Sequence, residues 1–292
     1  MTPMRINVAP LLMKRSFRVI IIALGIFGIP QGIAEQSEKT ELIQELISSS
    51  GLENRILGLP PLINRMMVSG ILDAGDPNEV SEPLRHIVTT TFRASSIKGW
   101  LARELAKNLT MQELNNTATF FDSHLGRTIV QLEIDASLKG TYTERTSTSQ
   151  QLQQANRKDP TRARLFEKLD AATYGSVIAV NLAENLRMGV GNSLLSASLL
   201  FDEGSRDGLK ERVDAAHFRL RGRITQEIFI TYLFLFGQMK DEELATYLQF
   251  ATSNAGKKYF LSVKEGIDLA LTNAFQTTDK LLAEKVKSGS SS

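Results

Sequence analysis

The sequence predicts an all-α fold, a bundle of about ten helices in two pseudo-repeated halves. Three observations carry that expectation. First, TMQELNNTATFFDSHLGR at 110–127 is echoed by KDEELATYLQFATSNAGK at 240–257. One constant offset of 130 pairs Leu114 with Leu244, Phe120 with Phe250, Ser123 with Ser253, Gly126 with Gly256 and Arg127 with Lys257. The period is too long for a solenoid and reads as two copies of one helical unit. Second, apolar residues recur at helical spacing through most of the chain. Third, the 292 residues include no cysteine, so no disulfide frame exists and the fold rests on its leucine and phenylalanine faces.

Within the repeated stretch the chemistry is that of helix ends. Thr110 and Glu113 form a T-x-x-E capping box. The second copy places Asp241, Glu242 and Glu243 in its first turn, where carboxylates favour the helix dipole. Leu114, Thr117, Ala118 and Phe121 share one face, as do Leu244, Tyr247, Leu248 and Ala251. Ser123 and Ser253 are placed to N-cap a following helix. Gly126 and Gly256 come three residues later, where a glycine costs about 1 kcal/mol against alanine. Close approach of another helix backbone is the expected reason. An anion site at the helix N-terminus, helped by Arg127 and Lys257, is the alternative.

FFDSHLGR and QFATSNAGK resemble the "aromatic, aromatic, x, Ser, x, x, Gly, basic" signature of a bacterial envelope family, the domain of unknown function numbered twenty-fifty-nine. The resemblance covers both copies and the approach to each, 109–114 and 239–244. It departs in the second copy, where Ala251 stands in place of Phe121. It implies an all-helical, exported protein. The family has no assigned active site, so no catalytic residue is carried over from it.

In chain order, residues 1–34 read as a signal peptide. Arg5, Lys14, Arg15 and Arg18 precede a short apolar run at 19–29, and Gly32-Ile33-Ala34 offers a cleavage site. The run is shorter than the roughly 20 apolar residues a span needs. This segment holds four of the 34 basic residues and no acidic one. The remainder therefore carries 30 basic against 32 acidic residues, net −2, without the basic footprint of a nucleic-acid binder. Residues 35–138 form the expected first half. It opens with an apolar stripe of Leu42, Ile43, Leu46 and Ile47, closed by Gly51 as a C′ residue. Pro60-Pro61 breaks or kinks the next helix, and Met66-Met67 fills a core gap or lines a groove. A long helix is expected over 79–108, with Trp100 anchoring the interface between halves. Residues 139–160 are a polar linker. The second half, 161–287, follows Pro160 at a helix start. Gly189 and Gly191 permit close helix crossing, and a dense apolar run spans 228–236. A long helix over 255–286 precedes a disordered tail at 288–292.

No catalytic, cofactor or metal constellation is legible. His86, His124 and His217 lie far apart, with no H-E-x-x-H spacing. Neither a G-x-S-x-G elbow nor a phosphate loop occurs. Asp122, Ser123 and His124 are adjacent, so their side chains diverge and make no triad by sequence alone. The expected protein is periplasmic and non-enzymatic, a binding or interaction protein of the cell envelope. Its expected partner is a second copy or another envelope protein, with no nucleic acid and no stable membrane span once the signal is removed. A periplasmic hydrolase with a site between the halves, or a periplasmic chaperone, are the rival readings.

Overall fold

The computed structural model describes residues 31–61, 86, 89–138, 160–182, 184–185, 235–237 and 239–289. The expected Met66-Met67 filler, the 139–159 linker, Gly189 and Gly191, most of the 228–236 run and the last three residues of the tail lie outside these. So does the expected signal segment up to residue 30.

Among the described residues every regular element is helical and none is a strand, so the fold is all-α as expected. The first is α1, Gln31–Ser49. It ends on Gly51, whose φ of +75° is the left-handed conformation that glycine adopts without strain. Helix α2 spans 52–61. The long helix expected over 79–108 is interrupted. Helical residues 89–91 give way to a bend at Phe92 and extended backbone at Arg93, and α3, Ala94–Asn108, starts afresh. The break lets Phe92 turn inward, edge-on to Phe275 at 4.8 Å. Next come α4, Met111–Asp122, and α5, His124–Leu138. Helix α6 is Pro160–Thr173, and α7 covers 175–182. The chain closes with α8, Asp241–Thr252, and α9, Asn254–Gly289. At 36 residues α9 is about 54 Å long and reaches two residues into the expected tail.

Helix α9 is the spine. Its most extensive partner is α3, and the pairs show the direction. Thr91 meets Thr278 at 2.9 Å, Leu101 backs onto Gly266, and Asn108 donates to Ser262 at 3.2 Å. Partners fall in number along α9 as they rise along α3, so the two run antiparallel. At Gly266 a Cβ would lie 2.9 Å from the Leu101 Cα, which explains the glycine. Leu101, Leu105, Leu109 and Leu114 are fully buried with Leu46 and Ile47 of α1. One continuous core therefore joins segments from both ends of the chain. Trp100 is not its anchor. It is half-buried beside the core, with the Arg103 guanidinium 3.7 Å above its ring.

Helix α6 is tied in by Arg162. Its guanidinium donates to the Phe236, Gly237 and Met239 carbonyls at 3.1, 3.0 and 2.6 Å and pairs with Asp241. These carbonyls precede α8; all three converge on Nη2, whose two hydrogens they share, while Nη1 faces Asp241. Polar ties also join α2 to its neighbours, Arg55 to Glu133 and Lys98 to Glu53 at 2.9 Å.

Two substitutions test this packing. Leu101→Ala should lower unfolding free energy in urea by about 3 kcal/mol, as for other large-to-small core changes. Gly266→Ala should cost about 1–3 kcal/mol by overpacking against the Leu101 backbone. The exposed-space control Gly99→Ala, with nothing within 4 Å of the new methyl, should be neutral or stabilising.

Candidate functional site: two helical corners and the groove between them

Each repeated stretch forms a helix, a one-residue connection and a second helix. Thr110 starts α4 with extended backbone (φ −75°, ψ 165°) and Lys240 starts α8 likewise (φ −72°, ψ 153°). The first corner has a complete capping box. Glu113 N–H donates to Thr110 Oγ1 at 3.2 Å, and Glu113 Oε2 accepts from Thr110 N–H at 2.9 Å. At the second, lysine has no side-chain acceptor, so only the return half forms, Lys240 N–H to Glu243 Oε2 at 2.8 Å.

The connections are Ser123 (φ −65°, ψ 163°) and Ser253 (φ −64°, ψ 165°). Their hydroxyls accept from Gly126 N–H at 3.0 Å and Gly256 N–H at 3.1 Å, as N-caps of α5 and α9. The glycines answer to a close approach, but the backbone they meet is that of the helix just completed. A Cβ at Gly126 would lie 2.1 Å from the Phe120 carbonyl oxygen, and one at Gly256 would lie 2.0 Å from that of Phe250. A single connecting residue folds the second helix back so sharply that only hydrogen fits there. Burial also repeats, with Leu114 and Leu244, Thr117 and Tyr247, Phe121 and Ala251 inward at matched positions. Arg127 and Lys257 are exposed, and the Arg127 guanidinium bonds back to the Asp122 carbonyl.

The two corners meet through equivalent residues. Phe120 and Phe250 stack at 3.8 Å between centroids, 4° from parallel. Phe121 and Tyr259 continue the aromatic contact inward, 5.3 Å apart. Tyr259 is 2 % exposed, and burial pushes its hydroxyl above the ordinary phenol range. A polar link lies at the start of α4. Glu113 Oε1 accepts from Asn254 Nδ2 at 2.6 Å and pairs with Lys258 Nζ at 2.7 Å. The bond from Lys258, then that from the Thr110 amide, holds the Glu113 carboxyl below its ordinary range.

Over the ring stack opens a groove of about 430 Å³. Phe120, Phe250 and Ala255 floor it. Asn116, Thr246, Gln249, Ser253 and Asn254 rim it, all exposed and all uncharged. Of the residues singled out by sequence, Phe120, Phe250 and Ser253 line this groove. Gly126 and Gly256 shape the corners beneath, and Ser123, Arg127 and Lys257 stand outside it. Asn116, Gln249 and Asn254 carried no sequence signal as site residues. The clue available was that each of the two matched stretches places an aromatic, Phe120 or Phe250, at the same position before the corner.

Asp122, Ser123 and His124 do not converge. The Ser123 hydroxyl is the cap, while His124 Nδ1 lies 3.2 Å from Thr128 Oγ1 one turn on. Among the described residues no group of three or more His, Asp or Glu side chains is placed to hold a metal ion. No described helix is long and apolar enough to cross a membrane. The chain matches no protein-family model, no curated protein and no solved structure.

Two measurements probe the corners. Gly126→Ala should destabilise by about 3 kcal/mol or force the corner to rearrange, seen in urea unfolding and the amide spectrum. Glu113→Gln should cost about 1–3 kcal/mol at pH 7 by weakening a satisfied buried carboxylate. The folded Glu113 carboxyl titrates below its reference value of 4.5. Its contribution is thus complete above that value and is lost as pH falls through the lower folded value. The gap between wild type and Glu113→Gln should therefore close only under strongly acidic conditions.

Proposed function

We propose that this chain is an exported, non-enzymatic binding protein of the bacterial cell envelope. In this reading it is built from two copies of one helical corner and belongs with the family of unknown function that its motifs resemble. The groove over Phe120 and Phe250 carries the binding reading. Its floor is apolar and its rim neutral and polar, the usual composition of a small-molecule site. Its volume of about 430 Å³ falls within the roughly 300–1,000 Å³ typical of such sites.

The repeated capping, corner angles, glycine contacts and burial support the duplication. Export rests on the basic and apolar N-terminal segment. Cleavage after Ala34 would keep the buried side of α1, which begins at Ile43.

A photo-crosslinking amino acid at Gln249, on the rim, tests the binding reading in intact cells. A light-dependent adduct at Gln249, with none at exposed Thr272 on α9, is expected. Equal labelling at both positions, or none at either, would overturn it. Export is tested separately by N-terminal sequencing, which should find a mature chain starting at Glu35; an intact N-terminus would remove that part.

A further inference from the structure

We infer that the groove takes a neutral saccharide, its ring laid on Phe120 and Phe250 and its hydroxyls held by the amide rim. The inference rests on the binding reading and adds the class of ligand. The rim is a set of groups that together donate and accept. Three of its members are carboxamides, Asn116, Gln249 and Asn254. Each carries a carbonyl acceptor beside two N–H donors. The side chains of Asn116 and Gln249 hydrogen-bond to no described residue, so both keep the full set. Asn254 gives one N–H to Glu113 Oε1 at 2.6 Å and keeps the other with its carbonyl. Two hydroxyls add to the rim in opposite senses. Ser253 Oγ accepts from Gly256 N–H at 3.1 Å and keeps its hydrogen to donate. Thr246 Oγ1 donates to the Glu242 carbonyl at 2.7 Å and keeps its lone pairs to accept.

A ligand that uses this rim must itself donate and accept at several neighbouring points, as hydroxyls on adjacent carbons do. The floor asks for something else from the same molecule. Phe120 and Phe250 are half-buried, so ring surface stays open above the stack. A pyranose ring meets both demands, with C–H bonds across its face and hydroxyls around its edge. Its slightly positive C–H face is drawn to the negative π surface of a phenyl ring. Charge is the next constraint. No lining residue is charged, so nothing there offsets the desolvation of an ammonium or a carboxylate. A wholly apolar ligand would strip water from the amides and return no hydrogen bond. A peptide held by its main chain pairs with a strand edge, and every lining residue except Ser253 is helical.

The test is an NMR titration of the isotope-labelled protein with cellobiose, maltose and N,N′-diacetylchitobiose. At least one should shift the side-chain amides of Asn116, Gln249 and Asn254 together with the Phe120 and Phe250 rings, saturating with a Kd of about 1 mM. Gln249→Leu, at an exposed position, should weaken that sugar about fivefold, the loss of one neutral hydrogen bond. An unchanged Kd in that variant would overturn the part given to the rim. The uronic acid counterpart of the same disaccharide should bind more weakly than the neutral form; equal or tighter binding would overturn the demand for neutrality. Saturable shifts with N-acetyl-phenylalaninamide and none with the three sugars would overturn the saccharide assignment and leave the groove reading standing. Signals that move with no probe would overturn both.

Discussion

Phe120 and Phe250 are each fixed from behind before they touch one another. The peptide carbonyl of each lies where a side chain at Gly126 or Gly256 would have to be, so the corner cannot relax without displacing the ring. The stack at 3.8 Å is thus a contact between two rigid bends. Aromatic pairs of this kind add about 0.5–1.5 kcal/mol beyond the area they bury. Their larger effect here is geometric. Holding two corners ring to ring sets the crossing of α4 and α8, and with it the floor of the groove and the reach of Glu113 to Asn254 and Lys258.

The two corners share a backbone plan but divide their bulk differently. At the offset of 130 Phe121 stands opposite Ala251, and Tyr259 and Phe260 stand opposite Ile129 and Val130. The missing ring of the second helix is thus supplied by the helix after it. Tyr259 packs on Phe121 at 5.3 Å and on Phe260 at 5.0 Å, filling the space beneath the stack from one side. Ala251 is fully buried there. Total volume is kept while its sources move, the kind of exchange that packed cores tolerate.

What could be read from the sequence was local. The capping box at Thr110, the serine caps and the left-handed Gly51 each depend on residues within a few positions, and each is present. The break at Arg93 was not legible, because it serves Phe92 meeting Phe275, far along the chain. Arg162 gave no signal either, since the carbonyls it satisfies lie more than 70 residues away. The tryptophan misled in the other direction: its size suggested an anchor, but Leu101 beside it takes the buried position and Trp100 serves as a platform for a guanidinium. A contact surface between the two matched stretches was expected, but its residues escaped because the groove forms only where the two corners meet. Asn116 comes from one corner, and Thr246, Gln249, Ser253 and Asn254 from the other.

The antiparallel pairing of α3 with α9 has a consequence for biogenesis. The leucine face of α3 finds its main cover in the 36-residue α9, more than 100 residues further along the chain. A nascent polypeptide would hold Leu101 and Leu105 only partly covered, by α1, until α9 had been made. Closure over so long a loop makes this pairing a slow step of folding. Such a chain stays pliable while it is being made, and in that interval depends on whatever shields its apolar side from other chains.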